Sequence, residues 1–138
     1  MKRSFILLLM LLSVSFAEAQ YSWNILLHKK VLLKGKEANE EKNIKLVRAA
    51  DWKRSGYLEV YFKEEQPSAW KHSIRFSDEL GNELLVKENV LSTKVSTTSL
   101  RKLFAGKKQL KIYMVIAPTD PMIMAPVRMI HLATLKLP

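Results

Sequence analysis

The sequence predicts an all-β domain, mainly antiparallel: a two-sheet β-sandwich of the Ig-like or Greek-key type, with one or two short helical turns. Three observations predict it. Apolar side chains recur at every second residue in several segments, as half-buried strands require. Turn residues separate these segments at short, fairly even spacing. No helical segment is long enough for the crossovers that parallel βαβ units need.

The strands follow in order. In SWNILLH, Trp23, Ile25 and Leu27 share one face. LHKKVLL then suggests a tight first hairpin, although it lacks the usual Asn-Gly. KGKEANEEKN, Lys34 to Asn43, is polar throughout and is expected to be a solvated loop. In GYLEVYFKE, Leu58, Val60 and Phe62 oppose Tyr57, Glu59, Tyr61 and Lys63. In WKHSIRFS, Trp70, His72, Ile74 and Phe76 oppose Lys71, Ser73, Arg75 and Ser77. DELGNEL turns the chain back through Gly81-Asn82, and shorter strands are expected near 84–88 and 90–95. In KQLKIYMVI, Leu110, Ile112, Met114 and Ile116 oppose Lys111, Tyr113 and Val115. The last run, VRMIHLATLKL, is apolar on both faces in its middle and reads as a central strand. Two short helical pieces interrupt the strands. STTSLRKLFAG places Leu100, Leu103 and Phe104 at helical spacing, with Ser or Thr to cap it and Gly106 to close it. RAADWKRSG, Arg48 to Gly56, reads alike: helical turn, glycine, strand.

The first twenty residues, MKRSFILLLMLLSVSFAEAQ, are predicted to lie outside this fold. Lys2 and Arg3 precede an apolar run, Phe5 to Phe16, and Ala17-Glu18-Ala19 is an A-x-A cleavage site. The expectation is a signal peptide over 1–19, cut before Gln20, and a single domain over 20–138. Such a product would be periplasmic or secreted. No second apolar run reaches spanning length, so the exported chain is expected to be soluble or peripherally bound. There is no cysteine. That excludes a lipid-anchored lipoprotein and thiol chemistry, and it makes packing the source of stability. It also points toward a bacterial export route. Losing Lys2, Arg3 and Glu18 takes the net charge from +10 to +9, which favours attraction to polyanions.

GYLEVYFKE, WKHSIRFSDE and, above all, the segment over 107–137, KKQLKIYMVIAPTDPMIMAPVRMIHLATLKL, resemble a group of small exported bacterial β-proteins. That group has no assigned activity. The resemblance implies an exported β-domain and carries no catalytic or ligand residues with it.

The catalytic inventory is thin. His28, His72 and His131 form no H-x-H or H-x-x-x-H pair, and His72 and His131 sit in apolar runs, where a satisfied strand histidine is expected. No G-x-S-x-G elbow and no phosphate loop occur. Asp78, Glu79 and Glu83 flank a hairpin, which offers exposure rather than the desolvation that a tuned acid pair needs. The expectation is a non-catalytic module without cofactor or metal, with a hydrolase as the least favoured reading.

The leading reading is a binding or structural module with an envelope protein as partner. The alternative is a cationic domain that binds a polyanion such as an acidic glycan, lipid or nucleic acid, against the plainer reading of the basic residues as a solvated face. Lys29 and Lys30, beside Lys34 and Lys36, form one basic cluster. Arg101, Lys102, Lys107, Lys108 and Lys111 form another. Tyr61 and Tyr113 lie on polar strand faces, where a ring could stack on a base or sugar. The remaining candidates lie in APTDPMIMAPVR. Asp120 before Pro121 initiates a turn. Met122, Ile123 and Met124 are expected to plug the end of the core; exposed, they would instead point to an envelope partner.

Overall fold

The computed structural model describes residues 21–65, 69–120 and 122–138. The predicted signal peptide, its cleavage site and Pro121 lie outside the described residues. Among the described residues nine strands form two sheets: β1 (Tyr21–Leu27), β2 (Lys30–Gly35), β3 (Ile44–Leu46), β4 (Tyr57–Glu64), β5 (Lys71–Ser77), β6 (Glu83–Glu88), β7 (Ser92–Ser96), β8 (Gln109–Ala117) and β9 (Arg128–Lys136). Two short helices, α1 (Ala49–Lys53) and α2 (Thr97–Leu103), carry the chain between sheets. One sheet has the order β2-β1-β4-β7, the other β3-β9-β8-β5-β6. All pairings are antiparallel except β3 with β9. The pairs β4–β7 and β5–β8 interlock, because each joins strands separated in sequence by elements of the other sheet. This is the two-sheet sandwich that the alternation predicts.

The inward faces are those read from the pattern. Trp23, Ile25 and Leu27 pack with Leu58, Val60 and Phe62 from one sheet against Ile74, Phe76, Leu110, Ile112, Met114 and Ile116 from the other. The apolar middle of β9 has a more specific cause than a central position. Ile112 pairs with Ala133, and Tyr113 pairs with His131, so Leu132 is an extra residue in a β-bulge. The bulge turns two consecutive residues, Leu132 and Ala133, into the core. It also frees the Leu132 carbonyl from the ladder. The buried indole N–H of Trp23, in the opposite sheet, donates to that carbonyl at 2.9 Å. Trp23 reaches it by lying flat on Gly35, where an added Cβ would sit 2.2 Å from the indole.

The first hairpin is a two-residue turn in which His28 (φ 51) and Lys29 (φ 64) are both left-handed, the geometry Asn-Gly would adopt without strain. Tertiary bonds hold it instead. The His28 amide donates to the Tyr57 carbonyl at 3.1 Å, and Nε2–H donates to the Asp51 carbonyl at 2.7 Å. The loop expected over 34–43 is shorter than that: Lys34 and Gly35 belong to β2. Its end is also buried, since the Asn43 carbonyl accepts the Thr134 amide at 2.7 Å. The two helical turns lie against each other. Thr97 Oγ1 donates to the Arg54 carbonyl at 2.7 Å and accepts the Gly56 amide at 3.1 Å. Ser96 caps α2 through the Ser99 amide, and Gly106 (φ 76) closes it.

Candidate functional site

The β8–β9 connection does not plug the core. Met122, Ile123 and Met124 are 85%, 47% and 101% exposed, and Val127 and Met129 are exposed beside them. The expectation of a plug is therefore corrected. The physical reason is that this end of the sandwich is already occupied. Tyr21 stacks on Phe62 with ring centroids 5.5 Å apart, and Trp70 packs on the core. His72 of β5 meets Glu64 of β4 and so ties the two sheets together there. Hydrogen bonds brace the loop at its two ends. Asp120 Oδ1 accepts the Met122 amide at 2.9 Å, and the Asp120 carbonyl accepts the Ile123 amide at 3.1 Å. At its far end Arg128 donates to the Tyr21 hydroxyl at 2.6 Å. The arrangement holds a row of apolar side chains in water, a patch of the kind that marks an interaction surface. Replacing Met122, Ile123 and Met124 together by alanine should change the unfolding free energy by less than about 0.5 kcal/mol. A urea titration that shows a loss of several kcal/mol would mean that they are buried after all.

The histidines divide. His72 is satisfied on both nitrogens: Nδ1–H donates to the Trp70 carbonyl at 2.7 Å, and Nε2 faces the Glu64 carboxylate. His131 departs from the expectation. Its Nε2 shares a 2.7 Å bond with Thr134 Oγ1, but Nδ1 is buried without a partner among the described residues. Its ring lies edge-on to Tyr113, with centroids 5.4 Å apart. Burial holds the His131 pKa below its ordinary value, with Lys111 adding to the effect and Glu40 opposing it. Tyr113, expected on an open polar face, is in fact half-buried against this ring, and burial raises its pKa. Tyr61 is exposed, as read from the pattern. Among the described residues no three acids or histidines gather as metal ligands would.

The second basic cluster is dispersed by the fold. Arg101 turns inward and donates to the Trp52 and Arg54 carbonyls, closing the C-terminal end of α1. Lys107 binds Asp78 at 3.0 Å. Lys111 lies half-buried on β8 near His131. Lys102 and Lys108 remain on the surface. The hairpin acids are likewise structural. Glu79 Oε2 accepts the amides of Lys108 and Gln109, and Glu83 pairs with Arg75 at 2.8 Å.

Asp78 corrects the expectation of exposure, being fully buried. Burial opposes its ionisation, but Lys107, the Asn82 amide group and the backbone N–H groups of Asn82 and Leu80 outweigh burial. They hold its carboxyl well below the usual carboxylate range. Because the folded pKa is depressed, the unfolded chain takes up the proton first as the pH falls. The stabilisation is complete above about pH 5 and drains away below it. Asp78→Asn should flatten the acid limb of the stability curve between about pH 5 and pH 2, whereas exposed Glu41→Gln should leave it unchanged. Denaturant midpoints across that range check this.

Lys29 and Lys30 do come together with charges that sequence spacing hides. Around the first hairpin, Lys29, Arg54 and Lys94 line one hollow. Lys30, Lys45, Arg48 and Arg54 line a second. Only the fold brings β2, β3 and the end of α1 to one flank, so no motif could reveal this. Comparison of the chain with protein-family models, curated proteins and solved structures found no match, so the fold and these surfaces stand on the chain's own geometry.

Proposed function

We propose that the protein is an exported, non-catalytic binding module of the bacterial envelope or exterior, and that it holds a partner through the β8–β9 loop. The observation that carries this reading is the exposure of Met122, Ile123 and Met124 on a loop braced at Asp120 and Arg128. A braced loop loses little entropy on binding, and long flexible methionines adapt to an apolar pocket. The partner that fits is an envelope protein with an apolar cleft. The tripartite N-terminus supports export. The carboxylates of the hairpin are each engaged in structural bonds, which supports binding over hydrolysis.

The test combines location with contact. Intact-mass analysis of the exported protein should give a chain that begins at Gln20. Pull-down from envelope fractions should recover a partner with the wild-type protein and lose it with the triple alanine loop. Recovery of the same partner by both proteins would overturn the assignment of the loop. A chain that retains Met1 in the cytoplasm would overturn export.

A further inference from the structure

A groove runs along the flank of the sandwich where the edge of one sheet, β2, faces the edge of the other, β3. Its volume is about 350 Å³. Lys30, Lys45, Arg48 and Arg54 line it. The acid that lines it, Asp51, is bonded to Arg48 at 3.0 Å, so the groove presents net positive charge. Between the cations it exposes aliphatic surface: Val31 is 51% and Leu46 is 72% exposed. Among the described residues no chain pairs with the outer edge of β2, which stands last in its sheet.

We infer that this groove takes an extended acidic peptide, which adds as a strand to the free edge of β2. An unpaired edge strand presents N–H and C=O groups, which complement a peptide backbone. In β2 one extra residue, Leu32, interrupts their alternation, since Ile25 pairs with Leu33 and Leu26 with Val31. The lysines on such an edge repel a second copy of this cationic chain and attract an acidic segment, so one feature suppresses self-pairing and selects the partner's sign. Alternate side chains of the added strand would cover Val31 and Leu46, while acids reach Lys30, Lys45 and Arg54, Arg48 being held by Asp51. A glycan or a nucleic acid fits less well. It makes no use of the strand edge, and the groove lining holds no Phe, Tyr or Trp ring on which a sugar or base could stack; its one imidazole, His28, is bonded to the Asp51 carbonyl. The site lies toward the Leu27 end of β1, whereas the apolar loop meets Tyr21 at the other end. It is therefore separate from the surface proposed above.

The probe is a synthetic peptide of about eight residues that alternates Glu and Val, long enough for one strand. A second peptide of equal charge carries a central proline, which cannot complete the ladder. Titration by NMR should shift β2 amides with the first peptide, and the second should bind about tenfold more weakly. Lys30→Glu with Lys45→Glu should weaken the first peptide by about tenfold or more, whereas the same charge change at Lys102→Glu with Lys108→Glu should cost less than about threefold. Should the first pair fail to fold, Lys45→Gln alone on the exposed β3 should still cost about threefold. The triple alanine loop should bind the peptide as the wild type does, so the two sites can fail separately. Equal binding of both peptides, equal effects of both charge-reversed pairs, or a heparin oligosaccharide that outcompetes the peptide would overturn the inference. So would dimerisation through β2 in sedimentation velocity.

Discussion

Trp23→Ala should lower the unfolding free energy by about 3–5 kcal/mol, the largest loss expected from any single truncation of the core. Three contributions meet at this side chain. The indole is almost fully buried and stacks on Phe62 at 6.3 Å. It fills the space that Gly35 leaves open. Its N–H satisfies the carbonyl that the β9 bulge releases. Trp23→Phe separates these effects. It keeps most of the apolar contact but leaves the Leu132 carbonyl buried and unbonded, which costs about 1–3 kcal/mol. Urea unfolding followed by circular dichroism measures both. If phenylalanine were fully tolerated, the bond between the sheets would contribute nothing, and the bulge would need another explanation.

Ile112→Asp should abolish cooperative unfolding. Ile112 is fully buried opposite Ala133, beside the bulge. A carboxylate there has no partner, and even when protonated it leaves polar atoms unbonded, at a cost of several kcal/mol. Total stability for a domain of this size is only about 5–15 kcal/mol. The neighbouring change, Tyr113→Asp, should be milder because Tyr113 faces the other side of β8. It is not neutral, since the ring rests on His131 and an aromatic pair of this kind contributes about 0.5–1.5 kcal/mol. A thermal melt of each variant should show a lost transition for the first and a lowered one for the second. Similar behaviour in both would mean that the faces of β8 are misassigned.

These two residues mark how far the sequence could be read. Alternation placed Ile112 inside and Tyr113 outside, because a strand has a side-chain period of two and a sheet has two faces. The same rule placed Trp23, Leu58, Phe76 and Met114 correctly. A Ser or Thr cap and Gly106 bounded α2 from local chemistry, and the fold selected Ser96 as the cap. Where the period breaks, the reading lost its cause: Leu132 and Ala133 both turn inward because of a bulge, and a bulge is a property of a strand pair rather than of one strand. His28 and Lys29 form a left-handed turn with no residue that favours it, since the bonds from Tyr57 and Asp51 come from distant parts of the chain.

The candidate surfaces divide in the same way. The residues of the β8–β9 loop and its Asp120 turn were legible, but their exposure was not. Whether an apolar loop plugs a core depends on what already fills that end, here Tyr21, Phe62, Trp70 and the His72–Glu64 pair. The lysine clusters were legible as composition. Only the fold turned Arg101 and Lys107 inward to carbonyls and a carboxylate and gathered Lys30, Lys45, Arg48 and Arg54 along one groove. The sequence by itself determined the strand faces, the helical turns and the sandwich class, because these follow from local periodicity and capping. Tertiary structure alone decided which charges meet and which apolar side chains stay in water, because both depend on residues brought together from remote segments as the two sheets close on each other.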